Sequence, residues 1–223
     1  SSIMFHKFLN KHDKKKSLRN TPAIYEVGYP KLDYLRRKKI IRNLNEKIIV
    51  IAPTDYRHVQ KLSIYNELDN IIDLILKKTT YKIYFRPYPA NLKSEKILRL
   101  IKKYSNIKRF NIDNSNDYID VYSKSRYLLT DISGTAITYS YFTNRKVIFY
   151  SRNEKLVKKM FYKDNSYFKD RNKFGVIKSK PIEIVDFMNN DNSNYSNKQI
   201  KKEIKYLDKS KQRIKFLLKK YLN

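Results

Sequence analysis

The sequence lacks cysteine and long apolar runs, and it contains very little glycine. Without cysteine, its 223 residues can form neither a disulfide framework nor a thiolate metal site. No stretch approaches the roughly 20 consecutive apolar residues of a membrane span, and no signal peptide with an apolar core is visible. Only three glycines occur, whereas an average usage of about 7% predicts about fifteen. A chain this poor in glycine is expected to keep it where a side chain does not fit.

Positive charge, in contrast, is abundant. Lys and Arg number 50 against 21 Asp and Glu, which gives a net charge of +29. Lysine is accompanied by many Asn, Ile and Tyr residues, as an AT-rich codon bias would produce, so part of the charge is explained by composition alone. The charge still attracts anionic partners: a nucleotide-diphosphate donor, an acidic polymer, anionic lipid headgroups or nucleic acid. Hydrophobic residues make up 41% of the chain, which argues against global disorder.

Strand-like and helix-like segments alternate along most of the chain. Strands are predicted by apolar runs at 47–52, 81–85, 126–130 and 146–150, and by β-favourable segments at 23–27, 107–112 and 174–177. Helical spacing occurs at 31–44, 64–78, 95–104 (with Ser94 as N-cap), 117–125 and 135–142. This alternation predicts βαβ units. The expected fold class is α/β, a Rossmann-like doubly wound parallel sheet with a C-terminal helical tail.

Three regions are expected along the chain. Residues 1–21 are a basic leader or the remnant of a first lobe, residues 22–188 the Rossmann-like nucleotide-binding domain, and residues 189–223 the tail. In the tail, a polar linker at 189–197 precedes a basic amphipathic helix predicted from Lys198 to Leu222. Its apolar stripe is expected to pack on the domain, with its lysines facing either water or an anionic membrane surface.

The loops that follow strands carry the candidate site, because ligands of a doubly wound sheet bind outside the carboxyl ends of the strands. The segment DISGT at 131–135 follows one strand, and its Gly134 allows close backbone approach at a helix N-terminus, which favours anions. Arg86 follows another strand beside two prolines and suits bidentate phosphate contact. Each feature also fits a simpler interpretation, a capped helix or a surface arginine beside a rigid turn.

A third loop, after 47–52, supplies a hydroxyl, a guanidinium and an imidazole. Its histidine, His58, could act as a general base or a phosphate contact, although a lone loop histidine is more often neither. The three loops converge on one edge of the predicted sheet. The expected nucleotide- and diphosphate-binding residues are Thr54, Arg57, Arg86, Asp131, Ser133, Gly134 and Thr135. No metal site and no cofactor are expected.

An ordered set of motifs resembles the CDP-glycerol glycerophosphotransferase family, whose members build teichoic acids and related capsule polymers. The set consists of VGYPKLD at 27–33, IAPT at 51–54, Arg86-Pro87-Tyr88-Pro89, DYIDVY at 117–122 with LLTDISG at 128–134, and the strand at 146–150. In order and spacing it matches the family's carboxyl-terminal domain over about residues 22–151.

The resemblance implies one lobe of a GT-B architecture, with the nucleotide donor bound in the cleft between two lobes. It implies that Arg86 and the loop 133–135 hold the donor, and that the first lobe supplies acceptor contacts. The family's R-P-H-P motif usually has histidine where Tyr88 stands. Tyr88 can donate a hydrogen bond but carries no positive charge near neutral pH. His58 and Tyr88 are the candidate catalytic residues.

Three functions are therefore considered. The first is a transferase domain that moves glycerol phosphate from CDP-glycerol to an anionic surface polymer. It would be cytoplasmic, peripheral at the inner membrane face, and completed by a separate N-terminal lobe. The second is a GT-B glycosyltransferase that uses a nucleotide sugar in capsule synthesis. The third is a non-enzymatic basic module that binds nucleic acid or membrane, although the sequence carries no helix-turn-helix, zinc-finger or RNP signature.

Overall fold

The computed structural model describes residues 25–37, 47–161, 166–191 and 205–222, so the predicted leader at 1–21 lies outside the described residues. The strands in these ranges are β1 (Ile48–Ile51), β2 (Lys82–Phe85), β3 (Phe110–Ile112), β4 (Tyr127–Thr130), β5 (Val147–Tyr150) and β6 (Gly175–Lys178). They form one sheet in the order β3-β2-β1-β4-β5-β6, and every neighbouring pair is parallel. This is the strand order of a doubly wound Rossmann-like sheet, so the predicted fold class is confirmed.

Helices separate the strands. The α-helices of the described ranges are α1 (Pro30–Arg37), α2 (Leu68–Lys78), α3 (Glu95–Tyr104), α4 (Ile119–Lys124), α5 (Thr135–Thr143), α6 (Glu154–Phe161), α7 (Ser166–Lys169), α8 (Arg171–Phe174), α9 (Pro181–Asn190) and α10 (Ser210–Leu222). Short 3-10 helices occur at Tyr56–His58, Gln60–Leu62, Ile64–Asn66 and Pro89–Asn91.

The helices cover both faces of the sheet. Successive strand residues point to opposite sides, so neighbouring residues of one strand pack against different helices. Ile49 and Ile51 of β1 belong to one core with α2, α3 and α9. Val50, between them, belongs to a second core with α1, α4 and α5. All residues of β1, β4 and β5 are buried, as expected for central strands of a parallel sheet.

Several predicted elements need correction. The strand predicted at 23–27 is wrong over residues 25–27, which are irregular, and residues 23 and 24 lie outside the described part. The helix predicted at 64–78 is interrupted, since Ile64–Asn66 is a 3-10 helix and α2 begins at Leu68. Ser94 stands at the N-cap of α3, but its side chain makes no capping hydrogen bond. Helices α6, α7, α8 and α9 have no counterpart among the predicted helices.

The tail departs most from the prediction. Helix α9 extends through residues 189 and 190 of the predicted linker, and α10 begins only at Ser210. Residues 205–209 are turns, in which Tyr206 and Asp208 have positive φ angles of 57° and 64°. The Asp33 carboxylate accepts hydrogen bonds from the backbone N–H groups of Asp208 (2.8 Å) and Ser210 (2.9 Å), and these bonds fix the start of α10 against α1.

The apolar stripe of the tail is only partly packed. Leu207 contacts the second core, but Leu218 is 50% exposed and Tyr221 is 52% exposed, so the prediction of a fully docked stripe is wrong for the last turns of α10. Ile200 and Ile204 lie outside the described residues. Among the helices that the structure describes, none has the length and apolar character needed to cross a bilayer.

Candidate functional site

The carboxyl edge of the sheet has a switch point between β1 and β4. These strands lie side by side, with Ile51 opposite Leu129. The chain leaves β1 toward β2 and leaves β4 toward β5, so the two loops diverge. In doubly wound sheets ligands bind in the crevice that such divergence opens. Here the loop after β1 carries Thr54, and the loop after β4 carries Ser133.

Asp131, at the end of β4, holds these two loops together. Its carboxylate accepts hydrogen bonds from the backbone N–H groups of Thr54 (3.0 Å), Ile132 (2.7 Å) and Ile64 (3.2 Å). Burial raises the pKa of Asp131, and these N–H groups partly oppose the rise. Because the side chain is 0% exposed, Asp131 positions the loops in this structure rather than offering its carboxylate to a ligand.

Residues 133–135 form the start of α5. The Ser133 hydroxyl accepts from the Thr135 N–H at 3.4 Å, and Gly134 occupies the N-cap with φ −64° and ψ −14°. A β-carbon built on Gly134 would meet no atom within 4 Å, so the space in front of the helix end is open. Backbone N–H groups, a favourable helix dipole and free space together suit an anion.

Arg86 leaves β2 at the same edge and is held by the loop after β3. Its Nη1 donates to Asp113 Oδ2 (2.7 Å) and to the Ser115 hydroxyl (3.3 Å), and its Nη2 donates to the Ser115 carbonyl (3.0 Å). Only 18% of the side chain is exposed. Arg86 therefore orders the loop after β3, in addition to the phosphate contact that the sequence predicts for it.

A tyrosine pair connects Arg86 with the start of α5. The rings of Tyr118 and Tyr122 have centroids 4.9 Å apart, and the Arg86 guanidinium carbon lies 5.8 Å from the Tyr118 centroid. The Tyr122 hydroxyl lies 2.7 Å from Thr135 Oγ1, and the Lys31 ammonium lies 5.0 Å from the Tyr118 centroid. We call these five residues, Lys31, Arg86, Tyr118, Tyr122 and Thr135, the rim cluster.

Lys31, Tyr118 and Tyr122 are the members of the rim cluster that sequence reasoning missed as site residues, and Lys31 is the one that carries charge. A hydrogen bond with the Tyr118 hydroxyl raises the pKa of Lys31, so its ammonium stays protonated at neutral pH. The available signal was its position inside the GYPKLD motif. What the motif could not reveal is its neighbour, since Tyr118 lies far along the chain.

The remaining predicted residues lie on the loops after β1 and β2. Arg57 pairs with Asp55 through Nε (3.0 Å to Oδ1) and Nη2 (2.5 Å to Oδ2), and this pairing raises the pKa of Arg57. Tyr88 is 43% exposed and thus accessible to a ligand. Thr54 is half-buried, with its N–H held by Asp131. His58 ends a 3-10 helix, and its side chain lies outside the described part of the structure.

The arrangement can bind and stabilise anionic oxygens. Lys31 and Arg86 supply positive charge, and the start of α5 supplies backbone N–H groups at an open surface. Within the described ranges, no three or more His, Cys, Asp or Glu side chains are grouped so that they could hold a metal ion.

Comparison with known proteins gives structural likeness only. No protein-family model matches the chain, and no curated protein matches it significantly. Among solved structures, a variant of the wall teichoic acid polymerase TagF is similar with a TM-score of 0.55 at 21% identity, over 86% of this chain and 50% of that one.

Two further solved structures are similar to about the same degree. UDP-GlcNAc 2-epimerase from Methanocaldococcus jannaschii gives a TM-score of 0.58 at 15% identity, over 87% of this chain and 55% of the epimerase. The S. aureus MnaA–UDP co-structure gives 0.54 at 17% identity, over 88% and 53%. The chain thus has the fold of one GT-B lobe and spans about half the length of the structures that it matches.

Proposed function

We propose that the chain is the donor-binding domain of a transferase that moves glycerol phosphate from CDP-glycerol to a teichoic-acid-like or capsular surface polymer. The rim cluster carries the proposal, because it places Lys31 and Arg86 beside the open start of α5, where a diphosphate is favoured. The ordered motifs from VGYPKLD to LLTDISG support CDP-glycerol as the donor. The fold shared with TagF is compatible with this assignment.

The proposed step is a displacement at phosphorus. A hydroxyl oxygen of the acceptor attacks the phosphorus that bears glycerol, and a new phosphorus–oxygen bond forms. The bond from that phosphorus to the bridging oxygen breaks, and CMP leaves with its electron pair. The acceptor's proton passes to a base, for which His58 is the candidate on this chain. Lys31, Arg86 and the start of α5 would stabilise the charge that develops on CMP, while Tyr88 could donate a hydrogen bond to it.

A second lobe and a membrane surface belong to the same proposal. The chain spans about half the length of the similar structures. We therefore propose that a separate N-terminal lobe completes the cleft and supplies further acceptor contacts. We place the protein in the cytoplasm, peripheral at the inner face of the membrane, where an anionic polymer acceptor is accessible and its net charge of +29 favours anionic lipid.

The alternative is a GT-B glycosyltransferase that uses a nucleotide sugar. The observation that favours it is the likeness to the MnaA–UDP co-structure, a protein of this fold with UDP bound. The rim cluster suits the diphosphate of either donor, so the nucleotide base and the transferred group distinguish the two functions.

Calorimetric titration separates the candidates. The ligands are CDP-glycerol, a panel of UDP-sugars and a random single-stranded oligonucleotide. We expect CDP-glycerol to bind best. Lys31→Gln should weaken it about 10- to 100-fold, the scale of a hydrogen bond to a charged group. Lys108→Gln, which removes an exposed lysine before β3 at the opposite edge of the sheet, is the matched control.

Each other outcome has a clear meaning. Preference for a UDP-sugar would replace the proposal by the glycosyltransferase. Tight oligonucleotide binding without nucleotide binding would replace it by a non-enzymatic basic module. Equal loss in Lys31→Gln and Lys108→Gln would remove the rim cluster from the argument.

A further inference from the structure

A groove runs along the carboxyl edge on the side of the loop after β1. It consists of two adjoining cavities of about 380 and 290 Å³, which share Lys61, Ser63 and Asn66 as common walls. Lys96, at the start of α3, closes one end, and Arg152, after β5, closes the other. We call this feature the rim groove, and we infer that it binds a polyol phosphate chain, the acceptor polymer of the transfer reaction. This inference rests on the proposed function.

The walls of the rim groove match the chemistry of such a chain. A polyol phosphate carries one negative charge per repeat, with hydroxyl groups between the charges. The groove presents cations at Lys61, Lys96 and Arg152, and between them the neutral polar side chains of Ser63 and Asn66. Arg152 is already paired with Glu67 at 3.0 Å, so the two lysines supply most of the free positive charge.

The floor of the groove contains a buried hydroxyl without a hydrogen-bond partner. Tyr65 lines the larger cavity and is 3% exposed, and its Oη meets no described group at hydrogen-bond geometry. Burial raises the pKa of Tyr65 to about 12, so the hydroxyl keeps its proton, and the Asn91 side chain and the Tyr88 backbone, which lie nearby but outside hydrogen-bond geometry, oppose the rise only in part. A buried donor without a partner is costly, and a ligand oxygen would satisfy it.

The groove is fixed to the candidate donor site through Asp131. The same carboxylate that holds the Thr54 N–H also holds the Ile64 N–H, between groove residues Ser63 and Tyr65. Thr54 and Asp131 belong to the two loops that flank the crevice. A chain in the groove would therefore lead toward the position where the donor's phosphate is transferred.

Nucleic acid fits the groove less well, although it is also a phosphodiester. Proteins that bind single-stranded nucleic acid offer exposed aromatic faces on which bases stack. In the groove Tyr65 and Tyr150 are 3% and 2% exposed, and Tyr56 is half-buried with its ring packed edge-on against Tyr65 at 5.3 Å. These side chains have little ring face available for stacking.

The test measures binding of a short, fluorescently labelled glycerol phosphate oligomer by anisotropy at low and moderate salt. Three variants of the whole chain are compared: Lys61→Gln with Lys96→Gln, Tyr65→Phe, and a control with Lys102→Gln and Lys108→Gln. The control removes the same charge from exposed lysines toward the opposite edge of the sheet. CDP-glycerol affinity is measured on every protein, so that the donor site is followed separately.

We expect the groove double variant to weaken oligomer binding about tenfold or more and to make it less dependent on salt, with the control unchanged. Tyr65→Phe should weaken the oligomer while its melting temperature stays equal or rises, because the variant removes an unsatisfied buried hydroxyl. CDP-glycerol affinity should stay the same in all three variants.

The inference is overturned if the wild-type chain does not bind the oligomer, or if groove and control variants weaken it equally. An oligonucleotide that displaces the oligomer and binds more tightly would also overturn it, in favour of nucleic acid. If CDP-glycerol itself does not bind the wild type, the proposed function fails, which is a separate result from the oligomer measurements.

Discussion

At the scale of single residues, a substitution at Gly134 should affect ligand binding without weakening the fold. Its φ of −64° and ψ of −14° are open to any residue, and a β-carbon would enter empty space in front of α5. Gly134→Ala should leave the fold intact or stabilise it by about 0.4–1 kcal/mol, because alanine restricts the unfolded chain. The same methyl group should weaken CDP-glycerol binding in calorimetry by excluding the diphosphate from the helix end.

Gly28→Ala is the matched comparison. Gly28 has φ +84°, and a β-carbon there would lie 2.5 Å from the Ser210 hydroxyl and 2.9 Å from the Tyr206 carbonyl. This variant should lower the melting temperature. If Gly134→Ala destabilises as much as Gly28→Ala, or binds CDP-glycerol normally, the open space at Gly134 has no role in binding.

Arg86 should show both a binding loss and a local structural loss. Arg86→Ala removes a cation from the rim cluster and should weaken CDP-glycerol by about 1.5–3 kcal/mol. It also frees Asp113 and Ser115, so hydrogen exchange in the loop after β3 should accelerate. The control is Arg99→Ala on α3, where the side chain is 76% exposed. Unchanged affinity with faster exchange would leave Arg86 a purely structural role.

At the scale of elements, the start of α10 depends on one carboxylate. Burial pushes the pKa of Asp33 upward, but hydrogen bonds from Ser210 and Asp208 and the charge of Arg37 outweigh it, so the pKa is lowered on folding. The stabilisation is therefore present above the unfolded value of about 3.9 and is lost as pH falls through the lower folded value.

Asp33→Asn should remove this pH dependence. The variant replaces charged acceptors of two backbone N–H groups, and we expect a loss of about 1.5–3 kcal/mol near neutral pH in urea denaturation. The difference between wild type and variant should shrink below about pH 4. A pH-independent difference, or unchanged hydrogen exchange in α10, would show that the carboxylate charge does not hold the helix.

The strands could be predicted from sequence because burial on both faces leaves a local signature. β1 and β5 are continuous apolar runs, β4 is apolar up to Thr130, and every residue of the three strands is buried. The start of α9 also had a local signal, Pro181 followed by Glu183, whose carboxylate accepts from the Ser179 and Lys180 N–H groups. The break in the tail had none, because it is imposed by Asp33 from α1, far away in sequence.

The candidate site, like the fold, could be predicted from the sequence only in part. The positions of Ser133, Gly134 and Arg86 at strand ends follow from the order of elements, which a sequence reveals. The Lys31–Tyr118 contact and the buried role of Asp131 depend on how separate loops pack together, which no local pattern encodes. Sequence therefore predicted the edge of the sheet but not the partners of each side chain.

At the scale of the whole molecule, the net charge of +29 attracts anionic partners. Helix α10 exposes Phe216, Leu218 and Tyr221 together with lysines, a combination that suits a membrane surface. We expect cosedimentation with anionic liposomes at low salt. Each basic residue near the surface contributes about 1 kcal/mol, and the attraction decays over about 8 Å at physiological salt.

Replacing Lys211, Lys215 and Lys219 with Gln should release the protein at lower salt than the wild type. A control that replaces Lys77, Lys78 and Lys102 removes equal charge from the ends of α2 and α3. Equal behaviour of the two variants would assign any binding to overall charge, and a wild type that stays in the supernatant at low salt would end the membrane proposal.

The contact between Asp33 and Ser210 joins residues 177 positions apart, so it can form only late in the synthesis of the chain. The ribosome makes the chain from its N-terminus, and the sheet can begin to form before residues 205–210 emerge. Until then Asp33 of α1 lacks the two backbone N–H groups that its buried carboxylate accepts from, and α1 is held by the packing of Leu32 and Leu35 in the second core. A nascent chain would therefore hold a nearly complete sheet before the contact that fixes the start of α10 against α1 has formed.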